Sequence, residues 1–266
     1  MFPFGGTHFF ILCYATISQV FSYLCEDMDQ ALKDTLIGWA EEYNDPKYFE
    51  EDPIAFPREF AGRLAAGEAS LAARKASVAD VEIAALLSAH LAWGRRAMIV
   101  RDCGRMFDEM DWRPYDYVMA GEYRDEDASL HRTIKWSEFA AICGRIRSVY
   151  QERDSLEGLT DMDFRCRIFG QKEDLKAANK KINMMRRWMV RDDGKVDLGL
   201  WKNSSKKDLI LPLDVHVYAQ ATELGLTKRR QKDIVTAREI TDVFREIWPD
   251  DPCRGDFALF GYGVTR

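Results

Sequence analysis

The chain has 266 residues, of which 47% are hydrophobic and 31% are charged, and a chain of this size can bury a core of its own. This composition excludes a disordered tail, a collagen-like fibre and a low-complexity scaffold. The six cysteines follow no recognisable spacing, so we expect reduced thiols and a cytoplasmic protein. Taken alone, the net charge of −6 argues against nucleic acid as a partner.

The N-terminal segment is apolar between Phe9 and Cys25, but four polar residues interrupt it and no Lys or Arg precedes it. A signal peptide has a basic start, and a spanning helix has about twenty apolar residues in succession. We therefore interpret residues 1–27 as an N-terminal extension, with a membrane tether as the alternative. Residues 28–266 are predicted to form a single domain without membrane association.

Helical periodicity predominates from Asp80 onward, where apolar residues recur at intervals of three and four. The predicted helical stripes run through residues 83–91, 99–110, 139–150, 182–189 and 240–247. Gly94 separates the first two stripes, and Arg113-Pro114 is expected to end the second. No strand–helix–strand series occurs, so the sequence predicts an all-α domain. Long polar connections are expected around residues 45–60, 111–135 and 190–213.

The charge is unevenly distributed, because residues 165–207 are strongly basic. This segment contains thirteen Lys and Arg residues and five acids. Its net charge of +8 leaves −14 for the rest of the chain. Such a block is typical of a surface that binds a polyanion, since neutralised phosphates release counterions. It is equally typical of a solvated helix face with salt bridges, and both interpretations stay open.

Several common catalytic motifs are absent from the sequence. It contains no GxxxxGK[ST], GxGxxG or GxSxG pattern, so phosphate-loop, Rossmann and hydrolase-elbow chemistries have no support. The four histidines have no Cys or carboxylate at ligand spacing, and Cys253 stands alone. We therefore expect neither a metal nor another cofactor.

Two predicted helix starts carry side chains suited to chemistry. One begins with Lys180 and Lys181, and the other begins at Asp214 after Pro212. An amine becomes a nucleophile when a neighbouring cation or burial lowers its pKa, and backbone amides at a helix N-terminus keep a carboxylate ionised. Together they suit attack at a sugar anomeric carbon, with capture of C1′ as a Schiff base. Singly, each has a plainer interpretation as a solvated lysine or a helix cap.

Seven short stretches between about Asp45 and Val264 resemble an uncharacterised bacterial family known only by a domain-of-unknown-function label. They are Asp52-Pro53-Ile54, Ala92-Trp93-Gly94, Pro114-Tyr115-Asp116, His131-Arg132-Thr133 and residues 187–191, 212–216 and 256–261. This resemblance implies no activity. The His131-Arg132-Thr133 stretch is either a phosphate contact or an internal hydrogen-bonding cluster.

The same positions also resemble the helix-hairpin-helix DNA glycosylases, in particular the archaeal-type enzymes that remove 8-oxoguanine. Residues 212–216 are similar to a Pro-Val-Asp-Val-His stretch of that family, and Lys180 falls where its nucleophilic lysine opens the second helix of the hairpin. The resemblance implies a helix-hairpin-helix glycosylase-like domain with Lys180 and Asp214 as catalytic residues. The family's Leu-Pro-Gly-x-Gly turn is absent from residues 170–179, so Lys181 remains an alternative nucleophile.

Three further positions match base-binding residues of the glycosylases. The resemblance implies that Met184 and Phe260 stack on opposite faces of the extruded base and that Asp256 reads its edge. Asp256 and Phe260 lie at i and i+4 of a predicted C-terminal helix, a spacing that is also common in hydrophobic cores. A base-excision enzyme needs such stacking surfaces and edge contacts, together with a wedge that holds the gap.

The expected function is therefore that of a bifunctional DNA glycosylase with abasic-site lyase activity. It would act as a monomer on double-stranded DNA with a flipped oxidised purine. The expected lesion is 8-oxoguanine. The side chains expected to contact DNA are Lys181, Arg186, Arg187 and Trp93. Trp93 precedes Gly94-Arg95-Arg96 and is either a wedge or a core residue. The alternatives are a non-catalytic nucleic-acid-binding module and an enzyme that acts on RNA or nucleotides.

Overall fold

The computed structural model describes residues 28–66 and 77–264, and within them the chain is mostly helical. The helices are α1 (Gln30–Tyr43), α2 (Ala55–Ala66), α3 (Val78–Leu91), α4 (Arg96–Glu109), α5 (Pro114–Ala120), α6 (Trp136–Glu152), α7 (Lys180–Val190), α8 (Val215–Glu223), α9 (Ile234–Ile247) and α10 (Gly255–Val264). One antiparallel pair, β1 (Ser129–His131) and β2 (Ile134–Lys135), lies between α5 and α6. The predicted all-α fold is confirmed, while the predictions for residues 1–27 fall outside the described residues.

Short helical turns of other types join these elements. The 3-10 turns cover Pro46–Phe49, Lys206–Asp208 and Pro252–Arg254, and a π-helical segment covers Asp163–Ile168. No helix in the part of the chain that the structure describes is long and apolar enough to cross a membrane.

The interior consists of two hydrophobic clusters. The larger cluster is built around α3, in which every residue except Val78 and His90 is buried, as expected of a helix that is apolar on all sides. Helices α2 and α7 pack against α3. The smaller cluster joins α1, α8, α9 and α10, with α1 lying along α10. These two clusters hold the starts of α7 and α8 in place.

Two of the predicted polar connections contain helices. The prediction that Pro114 ends a helix is wrong, because α4 ends at Glu109 and Pro114 is the first residue of α5. The turn between them is made by Asp111 and Trp112, whose φ angles of 49° and 52° are left-handed. Proline is favoured at a first helical position, since its missing N–H has no helical partner there. Helix α2 likewise begins inside the predicted connection 45–60.

A buried carboxylate joins three parts of the larger cluster. Glu82 of α3 is fully buried and accepts hydrogen bonds from Tyr150 Oη at 2.7 Å, Ser155 Oγ at 2.5 Å, the Leu156 amide at 3.0 Å and Trp201 Nε1 at 2.7 Å. Because each donor would lose its partner in the interior, we expect Glu82→Ala to lower the free energy of unfolding by about 3 kcal/mol or more.

Urea unfolding of the Glu82→Ala variant checks this expectation. The matched control is Glu122→Ala, since Glu122 is exposed and its loss should change the free energy of unfolding by no more than about 0.5 kcal/mol. Equal stability of the two variants would contradict the structural role assigned to Glu82.

Candidate functional site

A cavity of about 630 Å³ lies between the two hydrophobic clusters, with Ile182 of the larger and Leu213 of the smaller in its walls. The walls come from the end of α3, the turn into α4, and the starts of α7 and α8. Five residues selected from the sequence line this cavity: Trp93, Lys180, Lys181, Met184 and Asp214. Its volume is in the range of small-molecule binding sites.

The starts of α7 and α8 bring Lys180 and Asp214 together. Asp214 caps α8, and its Oδ1 accepts hydrogen bonds from the amides of His216 at 2.8 Å and Val217 at 2.9 Å. Its Oδ2 lies 3.8 Å from Lys180 Nζ, which also donates to the Ala92 carbonyl at 3.1 Å. The two side chains are 27% and 32% exposed, so a ligand in the cavity can reach both.

Lys181 follows Lys180 at the start of α7 and has a strongly shifted pKa. Burial, together with the neighbouring charge of Lys180, lowers the pKa of Lys181 to about 8. Its Nζ lies 5.9 Å from the centre of the Trp93 ring, and it forms no ion pair with the described residues. An amine with this pKa is neutral in a large fraction of molecules near pH 8.

The ammonium group of Lys181 is therefore expected to titrate near pH 8, well below an exposed lysine. Lys180→Gln should raise this pKa, because it removes the like charge and leaves burial as the main cause of the shift. NMR titration of ¹³C-dimethylated lysines measures both values, with Lys181→Gln to assign the signal. Lys202→Gln, which changes an exposed lysine, is the matched control. The prediction fails if every lysine signal titrates in the ordinary range.

The turn that carries Trp93 is fixed by a buried pair. His131 and Asp102 are both buried, with His131 Nδ1 at 2.8 Å from Asp102 Oδ2 and Nε2 at 3.0 Å from the Trp93 carbonyl oxygen. The Arg132 guanidinium lies over the Trp93 ring, 4.3 Å from its centre, and Gly94 takes a φ of 110°. The His131-Arg132-Thr133 stretch was interpreted as either a phosphate contact or an internal hydrogen-bonding cluster. The contacts of His131 agree with the internal cluster.

The predicted pair from α10 does not line the cavity. Asp256 forms an ion pair with Arg187. Phe260 packs in an aromatic group, with its ring centre 5.3 Å from that of Phe49 and 6.3 Å from that of Tyr48. Sequence spacing placed Asp256 and Phe260 on one helix face, but the neighbours of α10 determine what that face contacts. Their base-binding roles thus receive no support from this arrangement.

Two of the predicted DNA contacts are engaged inside the protein. The Arg187 side chain is only 7% exposed and pairs with Asp197 as well as with α10. Arg186 pairs with Asp161 at 2.8 Å and donates to the Leu159 carbonyl at 2.8 Å. The Arg187 guanidinium is therefore committed to two acids of the protein interior, and this arrangement does not support the predicted phosphate contact.

The basic segment 165–207 divides into paired and unpaired side chains. Seven of its thirteen basic residues form ion pairs with described acids: Arg167, Lys180, Arg186, Arg187, Arg191, Lys206 and Lys207. The salt-bridge interpretation therefore holds for about half of the segment. Of the other six, Arg165 and Lys181 line the cavity, while Lys172, Lys176, Lys195 and Lys202 are exposed, so the polyanion-binding interpretation stays open for these six.

Among the residues of the cavity wall to which sequence reasoning gave no role are Asp52, His90, Arg96 and Phe169. Burial raises the pKa of Asp52, although its Oδ1 accepts a hydrogen bond from the Ile54 amide and Arg96 lies nearby. The sequence drew attention to Asp52 through the Asp52-Pro53-Ile54 stretch, which resembles the uncharacterised bacterial family. His90 ended an apolar stripe, and a lone histidine there resembles an ordinary core residue.

Comparison with known proteins gives one match. The family described as "Protein of unknown function (DUF2400)" matches residues 69–167 and 165–265. None of the curated proteins and none of the solved structures matches the chain. The matched ranges contain every residue of the cavity wall from His90 to His216. The two other lining residues, Asp52 and Pro53, lie before the matched ranges.

Proposed function

The chain belongs to the DUF2400 family, whose function is unknown, and we propose that it is a bifunctional DNA glycosylase with abasic-site lyase activity. The proposed substrate is double-stranded DNA in which an oxidised purine, 8-oxoguanine, is extruded into the cavity. The proposal depends on one observation above all: Lys180 Nζ and Asp214 Oδ2 lie 3.8 Å apart in one cavity wall.

The two side chains divide the reaction between them. In its neutral form the Lys180 amine attacks C1′ of the extruded nucleotide, and the bond from C1′ to the base breaks with its electron pair going to the base, which takes up a proton. Asp214 Oδ2, which is free of the backbone amides that hold Oδ1, stabilises the positive charge on the sugar. The captured sugar opens to a Schiff base, from which the 3′ phosphate is eliminated.

The surroundings of the pair suit a nucleobase. The cavity of about 630 Å³ is lined by Met184 and by the aromatic side chains of Trp93 and Phe169, which supply apolar faces for a planar ring. Arg165 and Lys181 provide positive charge on the same side. The apolar faces favour a flipped nucleotide over a small anionic metabolite, and the positive charge suits the phosphates that flank it.

We also propose that this fold is related to the helix-hairpin-helix glycosylases. The π-helical segment Asp163–Ile168 and α7 would be the two helices of the hairpin. Gly170 and Asn179, with φ angles of 62° and 49°, bound the connection between them. The Gly-rich turn of the helix-hairpin-helix glycosylases is absent from this connection. The left-handed Asn179 at its end would therefore set the position of Lys180.

Borohydride trapping tests the proposal directly. We expect the protein to form a covalent adduct with a duplex that contains 8-oxoguanine and with a duplex that contains an abasic site, but not with the undamaged duplex. Failure to trap either damaged duplex would refute the proposed activity. Salt-dependent duplex binding without base release would instead support the non-catalytic nucleic-acid-binding module.

A further inference from the structure

Three buried polar atoms on side chains that line the cavity have no hydrogen-bond partner within residues 28–66 and 77–264: His90 Nδ1, Trp93 Nε1 and Arg165 Nε. Buried polar groups are nearly always hydrogen-bonded, so an unpaired one calls for a physical explanation. Arg165 donates through its other two nitrogens to Asn179 and to the Lys172 carbonyl, so the unpaired atoms of His90 and Trp93 are the ones that point to a polar ligand.

Ring stacking holds the His90 side chain in a defined position. It stacks on Phe169, with the ring centres 4.6 Å apart and the planes inclined by 14°. A half-turn of the imidazole about Cβ–Cγ keeps this stack and moves Nδ1 to the opposite edge of the ring. The stack therefore orients the plane of the ring, while a ligand can select which edge carries the nitrogen.

The His90 ring is also neutral near physiological pH. Burial and the charge of Lys181 lower the pKa of His90 to about 3. A neutral imidazole has one N–H donor and one unprotonated nitrogen that accepts. It can therefore form a hydrogen bond with either a donor or an acceptor group of an uncharged ligand.

The acidic groups of the site are less free than His90. Asp214 Oδ1 accepts hydrogen bonds from two backbone amides, and Asp52 Oδ1 accepts one from the Ile54 amide. By contrast, His90 Nδ1 forms no hydrogen bond within the described residues, so it is available to a ligand.

Building on the proposed glycosylase function, we infer that His90, backed by Phe169, hydrogen-bonds the polar edge of the extruded base. His90 is thus a base-recognition residue, whereas Lys180 and Asp214 act on the sugar. The ligand class is an uncharged purine whose edge carries N–H and C=O groups. This assigns to the end of α3 the edge contact that the sequence comparison placed on Asp256.

A pair of variants separates recognition of the base from the chemistry on the sugar. His90→Phe keeps an aromatic ring against Phe169 but removes both nitrogens, and His90→Gln restores a donor and an acceptor. We expect His90→Phe to slow single-turnover release of 8-oxoguanine by about 10- to 100-fold, the effect of one unmade hydrogen bond to a buried group. Trapping at a preformed abasic site, which has no base to recognise, should stay within about twofold of the wild type. His90→Gln should recover part of the base release.

Two results would overturn this role for His90: unchanged base release in His90→Phe, or an equal loss of trapping at the abasic site. Equilibrium dialysis with free 8-oxoguanine adds a measurement that needs no catalysis. The wild type should bind the free base, and His90→Phe should bind it at least about tenfold more weakly. If the wild type traps neither damaged duplex, the glycosylase proposal fails by itself, and the dialysis still decides whether His90 binds the base.

Discussion

Lys180→Gln is expected to abolish the borohydride-stabilised adduct with damaged DNA, whereas Lys181→Gln is expected to retain it. The reason is geometric: Lys180 Nζ faces Asp214 Oδ2 at 3.8 Å, while Lys181 Nζ lies over the Trp93 ring. Glutamine cannot form a Schiff base, so adduct formation should fall by at least about 10³-fold, as when an enzyme loses its nucleophile. Gel analysis of trapping at an abasic site measures this loss without requiring prior base release.

The variants should remain folded, which makes the comparison informative. The Lys180–Asp214 pair is partly exposed, and such a pair contributes no more than about 1 kcal/mol to stability. Asp214→Asn completes the series, because asparagine can still cap α8 but lacks the negative charge. It should lower base release from 8-oxoguanine DNA more than it lowers trapping at a preformed abasic site. An adduct that persists in Lys180→Gln and disappears in Lys181→Gln would exchange the roles of the two lysines.

Local signals were sufficient to place Lys180 and Asp214 at helix starts, whereas their meeting was implied by the resemblance to the glycosylases. An aspartate two residues after Pro212 indicates a helix start, and the structure confirms Asp214 as the cap of α8. The apolar stripe that begins after Lys181 likewise fixes where α7 starts. Short-range rules determine both helix ends, so residues at those ends are predictable even when the contact between them spans a long stretch of chain.

The remainder of the site depends on contacts that no local pattern contains. Asp256 faces Arg187 because a buried guanidinium needs carboxylates around it, and Phe260 joins aromatic side chains from a distant 3-10 turn. His90 differs from an ordinary core histidine because it lines the cavity and its Nδ1 has no hydrogen-bond partner among the described residues. Spacing along one helix identifies a face, but the partner of that face follows from the packing of the whole chain.

Arg187→Met is expected to be the most destabilising of the substitutions considered, at about 3 to 5 kcal/mol, because it leaves buried carboxylates without their counter-charge. The Arg187 side chain is 7% exposed and pairs with Asp197 and Asp256. Burial by itself lowers the pKa of Arg187. The negative charges of Asp197 and Asp256 outweigh this effect, so the pKa of Arg187 lies above its usual value. Arg191 also pairs with Asp197 and cannot replace Arg187 beside Asp256 without moving.

Urea unfolding measures this loss, with the neighbouring Arg186→Met as the matched control. Arg186 is more exposed and pairs with a partly exposed acid, so its replacement should lower the free energy of unfolding by about 1 kcal/mol or less. The double variant Arg187→Met/Asp256→Asn should be more stable than Arg187→Met alone, since it removes one of the uncompensated charges. If Asp256→Asn instead leaves stability unchanged and selectively slows 8-oxoguanine release, then Asp256 reads the base, and its pairing with Arg187 must open when DNA binds.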